Sequence, residues 1–127
     1  MLKSKELTVN EFIIEEAIDY LLAHGFSEIS ANLPGFPQPE KIVSQNKRMT
    51  FIPDVIAERH GDSYLFAVET GDLYLEGPVA RKWKEFAHFA ERNNMTFHIV
   101  VPRGILRKVD LLLTKLGITA VVHQVLQ

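Results

Sequence analysis

The chain has no cysteine among its 127 residues, which excludes disulfides, thiolate metal sites and cysteine nucleophiles. It has no excess of positive charge either. Its 14 basic residues against 16 acidic ones give a formal net charge of -2, so no global basic field draws it to nucleic acid, and any site for a polyanion must be local. Long apolar runs are also missing, and no uninterrupted apolar segment follows the opening Met1-Leu2-Lys3-Ser4-Lys5-Glu6. Neither a membrane span nor a secretory signal is therefore expected, and the cytoplasm is the expected location. No internal repeat or low-complexity tract is evident. At this length one compact domain covering residues 1–127 is expected, large enough to bury a core without disulfides or structural zinc.

Hydrophobic periodicity and punctuation residues divide the chain into eight elements. Thr8 or Asn10 caps a first helix that runs to about His24 and ends at Gly25; its apolar stripe holds Ile13, Ile14, Ala17, Ile18 and Leu21. Glu11, Glu15 and Asp19 follow i, i+4 spacing on the wet face, whereas Glu16 projects to the border of the stripe, near Val9, Phe12 and Tyr20. Phe26 to Leu33 alternates weakly as a strand, and Pro34, Pro37 and Pro39 then forbid regular pairing. A hairpin from about Met49 to Glu69 is followed by a loop over Gly71 to Gly77. Pro78 opens a second helix, to about Asn93, that turns Val79, Trp83, Phe86, Ala87, Phe89 and Ala90 inward. A strand from Phe97 to Val101, a helix from about Gly104 to Leu116 and a last strand from Ile118 to Val125 complete the order α-β-β-β-α-β-α-β. That order predicts an α/β (α+β) domain with a mixed central sheet flanked by helices.

The hairpin carries the most informative pattern. Gly61 in His60-Gly61-Asp62-Ser63 suits the first central position of a type II′ turn, which pairs His60 with Ser63 and brings Asp54 opposite Glu69. Period-two geometry then sets Asp54, Ile56, Glu58, Leu65, Ala67 and Glu69 on one face and Val55, Ala57, Phe66 and Val68 on the other. Like charges with Cβ atoms roughly 4.5 to 5.5 Å apart repel. A hard divalent cation, which takes oxygen ligands and is commonly held by one or two carboxylates plus phosphate and water, would offset that repulsion.

This element order, with Pro53-Asp54 on one hairpin strand, Glu69-Thr70-Gly71 on the next and Arg81-Lys82-Trp83-Lys84 on the following helix, resembles the PD-(D/E)XK nuclease superfamily. The resemblance in topology covers nearly the whole chain and implies a restriction-endonuclease-like fold. It implies hydrolysis of phosphodiester bonds in DNA or RNA, with Mg²⁺ or Mn²⁺ held by Asp54 and Glu69. Glu16 on the first helix is the further ligand implied. The superfamily's signature lysine would stand at Gly71. The family is known to relocate that lysine, and Lys82, which projects between Phe86 and Phe89 beside the inward stripe, is the candidate replacement for stabilising phosphate charge or orienting water. The glycine also motivates an alternative, a degenerate member of the fold that binds nucleic acid or a partner protein without cutting. A third reading is a structural module that dimerises through the Pro34 to Pro39 loop, with Phe36 as an exposed plug or, equally, a lid over the core.

Other features have plainer readings. His98 and His123 fall on the last two strands without metal-ligand spacing and read as satisfied or exposed histidines. Lys41, Lys47 and Arg48, with Arg103, Arg107 and Lys108, form charge groups that read first as solvated surface and second as a track for a phosphate backbone. The stripe of Trp83, Phe86 and Phe89 reads as core.

Overall fold

Thr8 starts the first helix, α1 (Val9–Ala23), through a reciprocal cap: its hydroxyl accepts the Glu11 N–H and the Glu11 carboxylate accepts the Thr8 N–H, both at 3.0 Å. The computed structural model describes residues 8–44, 48–70, 73 and 77–126. After α1 come β1 (Ser27–Ala31), β2 (Ile42–Val43), β3 (Thr50–Phe51), β4 (Val55–Arg59), β5 (Asp62–Val68), α2 (Pro78–Arg92), β6 (Met95–Pro102), α3 (Leu106–Leu116) and β7 (Val121–Leu126). Five strands form one sheet in the order β1-β4-β5-β6-β7, and β2 and β3 pair separately as a short antiparallel ribbon. The β1, β4 and β5 half is antiparallel, while β6 and β7 run parallel to β5. The mixed sheet with helices on both faces agrees with the expected fold class.

Side-chain alternation explains the layering. Along β5 and β6, Phe66, Val68 and Val100 pack on α1 through Ile14, Ala17, Ile18 and Leu21. Their neighbours Leu65, Ala67, Phe97, Ile99 and Val101 face α2 and α3 through Ala80, Trp83, Phe86, Val109 and Leu112. Strands buried on both faces read as near-continuous apolar runs, as Tyr64 to Val68 and Ile99 to Val101 do. Phe36 is half-buried against the α1-side cluster, so it acts as a lid over the core rather than an exposed plug. Among the described residues no helix is long and apolar enough to cross a membrane.

Two details of the hairpin differ from expectation. The strand expected to begin near Met49 is interrupted at Pro53, which has no N–H for a ladder; Thr50 and Phe51 pair back to β2, and β4 begins only at Val55. The turn also lies one residue earlier. His60 and Gly61 both have positive φ, 56° and 84°, and Arg59 pairs with Asp62. This is the type I′ geometry, whose two left-handed central residues match the twist of the flanking strands. Every pair therefore slips by two residues: Val55 faces Phe66, and the position opposite Asp54 becomes Ala67, with Glu69 lying diagonally beyond it. An even slip preserves the faces, so Asp54 and Glu69 stay on the same side of the sheet.

Candidate active site

Asp54 stands just before β4 and Glu69 just after β5, where the antiparallel ladder ends. At such an end backbone donors run out of partners, and the Asp54 carboxylate fills the gap by accepting the Val68 N–H on Oδ2 at 2.9 Å. Its own carbonyl accepts the Asn32 N–H at 3.0 Å. The Glu69 N–H donates to the Val100 carbonyl at 2.9 Å, which carries the β5 to β6 alignment one residue further and aims the Glu69 side chain at α2.

From α2, two consecutive residues reach these carboxylates. The Lys82 ammonium lies 2.8 Å from Glu69 Oε2 and 3.4 Å from Asp54 Oδ2, and the Trp83 indole N–H donates to the same Glu69 oxygen at 2.9 Å. The structure thus brings Asp54, Glu69 and Lys82 together as expected, though diagonally and across an ammonium rather than face to face. Their side chains are 13%, 7% and 22% exposed respectively, so Glu69 forms the floor and Lys82 the solvent-reachable rim.

Two carboxylates surround one ammonium in this nook, and burial together with these charges sets its two resolved pKa shifts. Burial pushes the Glu69 carboxyl above the usual carboxylate range; the Lys82 charge opposes this, and Asp54 adds to it. Burial pulls Lys82 down, but the charges of Asp54 and Glu69 outweigh that and hold its ammonium above the ordinary lysine value. The site therefore favours additional positive charge. Its donor set is hard oxygen, which suits a Mg²⁺ or Mn²⁺ ion that completes its shell with water and phosphate.

Glu16 stands half-buried on α1. Among the described residues no three of His, Cys, Asp and Glu assemble as a group able to hold a metal, so the carboxylates brought together here are two. Gly71 and Lys47 lie outside the described residues. Arg103, Arg107 and Lys108 are exposed beyond the end of β6, at the same end of the sheet as Glu69; Lys41 and Arg48 are exposed as well.

Sequence reasoning assigned Trp83 to the core alone. It is core, fully buried, but it is also the donor that fixes Glu69. A buried indole N–H needs an acceptor, and that requirement was the available signal. His98 and His123 prove to be satisfied: His98 Nδ1 and His123 Nε2 share one hydrogen bond of 2.8 Å, and the Tyr20 hydroxyl lies 3.1 Å from His123 Nδ1.

No family model and no curated protein matches this chain. Among solved structures, an XisH family protein from Nostoc punctiforme PCC 73102 is similar at 13% identity with a TM-score of 0.60, covering 89% of this chain and 91% of that one. At that identity the likeness shows the fold, and it is consistent with a restriction-endonuclease-like architecture.

Proposed function

We propose that this domain is a metal-dependent nuclease that hydrolyses phosphodiester bonds in nucleic acid. The observation that carries the reading is the convergence of Asp54 and Glu69 on the Lys82 ammonium, at 3.4 and 2.8 Å. It lies beyond the carboxyl ends of the parallel strands β5 and β6, where sheets of this kind present their ligand crevices. Asp54 and Glu69 would hold Mg²⁺ or Mn²⁺, which supplies Lewis-acid polarisation of the phosphate and a more acidic bound water.

The remaining work falls to the chain itself. Trp83 keeps one Glu69 oxygen turned toward the site, and the Val68 N–H does the same for Asp54. Lys82 would donate to a non-bridging phosphate oxygen and stabilise the charge that builds there as the water oxygen bonds to phosphorus and the bond to the leaving sugar oxygen breaks. The exposed Arg103, Arg107 and Lys108 at the same end of the sheet would contact flanking phosphates without reading sequence. With an overall charge of -2 such binding would be local, and because it rests on phosphate contacts it would be strongly salt-dependent.

The test combines Mn²⁺ calorimetry with nicking of supercoiled plasmid and cleavage of single-stranded RNA. Expected is metal binding lost in Asp54→Ala and turnover lost in both Asp54→Ala and Lys82→Ala. Absence of metal binding, or binding indifferent to Asp54→Ala, refutes the mechanism. Nucleic acid bound without turnover under all metal conditions would leave a binding domain in its place. Calorimetry on Glu16→Gln decides whether the carboxylate on α1 acts as a third ligand.

A further inference from the structure

Lys82 occupies the place between the two carboxylates that a divalent cation would need. Each oxygen it touches is also held by a second donor that does not depend on it: the Val68 N–H for Asp54 Oδ2 and the Trp83 indole for Glu69 Oε2, each at 2.9 Å. Those two donors sit on rigid parts, a sheet backbone and a fully buried ring. The ammonium sits on a flexible four-carbon stem that reaches partial exposure, so it can swing out while the carboxylates keep their positions.

Resting on the nuclease reading above, we infer that Lys82 is an internal counter-ion that competes with a divalent cation for Asp54 and Glu69. In the closed arrangement the ammonium neutralises one of the two carboxylate charges and lies on the oxygens that would act as ligands, which sets the domain's metal affinity low. Movement of Lys82 toward a substrate phosphate vacates the same space. The residue that serves the phosphate would thus also govern metal entry.

The chain has a single tryptophan, Trp83, bonded to Glu69, so its fluorescence reports on the site directly. Mn²⁺ is titrated into the wild type, Lys82→Gln, Lys82→Met and Lys82→Arg, followed by both calorimetry and Trp83 fluorescence. Lys82→Gln keeps a donor against Glu69 while removing the charge, which guards against a variant that fails to fold. Expected is Mn²⁺ affinity at least about tenfold higher in the Gln and Met variants, because a like charge in contact with the ligands has been removed, with Lys82→Arg as weak as the wild type. Adding Asp54→Asn to Lys82→Gln should abolish the gain. Mn²⁺ should also raise the melting temperature of Lys82→Gln by more than that of the wild type.

If the wild type binds Mn²⁺ through Asp54 and Lys82→Gln binds equally or more weakly, the competition is refuted while the metal site stands. Arg and Gln variants of equal, raised affinity would refute it too, since charge would not be the cause. If neither the wild type nor any variant binds Mn²⁺, the nuclease reading fails and takes this inference with it.

Discussion

His98 sits at the centre of the sheet, 4% exposed, with its ring edge-on to Tyr64 and Phe66 and stacked on His123. Burial, then the neighbouring His123 and Arg59, lower its pKa from 6.5 to about 4. The 2.8 Å hydrogen bond to His123 holds one proton between Nδ1 and Nε2, so at least one of the two rings is neutral, and burial disfavours charge on either. A pKa lowered by folding means that the unfolded chain takes up the proton first. Stability is therefore intact above about pH 6.5 and is lost as pH falls toward 4. At about 1.4 kcal/mol per unit the full effect approaches about 3 kcal/mol, of which about 2 kcal/mol is spent between pH 7.5 and 5. Against a total stability of about 5 to 15 kcal/mol for a domain, that is a large share. His123, shifted the same way by burial and by Arg59 and His24, adds to the loss. Glu69 opposes it, because a carboxyl raised by folding stabilises the acid side and loses that contribution as pH rises through its folded value. The variant His98→Phe isolates the term: it preserves the ring contacts and cannot titrate. Urea unfolding at pH 7.5 and 5.0 should show the wild type losing about 2 kcal/mol more than His98→Phe over that interval, whatever the variant's stability at neutral pH. Parallel losses in the two proteins would refute the claim that His98 is held neutral.

Three further outcomes follow from single contacts. Trp83→Phe keeps an aromatic ring in the α2-side core but removes the donor to Glu69, and should cost about 1 to 3 kcal/mol in urea unfolding with weaker Mn²⁺ binding; an unchanged midpoint would mean that the indole hydrogen bond contributes nothing. Thr8→Ala removes one half of the cap on α1 and should cost about 1 kcal/mol, read as a melting temperature lowered by about 3 to 5 °C in calorimetric scans. His60→Asn tests the hairpin register: with φ of 56° in a type I′ turn, Asn should stabilise by about 0.5 to 1 kcal/mol, whereas in the alternative register position 60 is a strand residue where Asn would destabilise.

What the sequence revealed and what it concealed divide along a physical line. Helices and strands announce themselves locally, through Thr8 and its partner Glu11, through Pro78 at a helix start and Gly117 at a helix end, and through the apolar runs Tyr64 to Val68 in β5 and Ile99 to Val101 in β6. The hairpin turn was misplaced by one residue because a single glycine suits either of two primed turns. Choosing between them depends on whether His60 can take the left-handed conformation, and composition does not record that. The error did little harm to the site, since a slip of two residues exchanges partners without exchanging faces. Asp54 and Glu69 thus stayed on the side where α2 lies, and a helical projection that put Lys82 beside the inward stripe was enough to bring all three together. Trp83 escaped because hydrophobic periodicity treats an indole as bulk and ignores its N–H. The pairing of His98 with His123 escaped because parallel strands join residues far apart in sequence, with no turn to set the register. Sequence pattern therefore speaks well to which face a side chain occupies and poorly to which atom it meets. For the carboxylates the face sufficed, because a lysine stem can span the difference between opposed and diagonal neighbours. A shared proton between two imidazoles leaves no such tolerance, and only coordinates could find it.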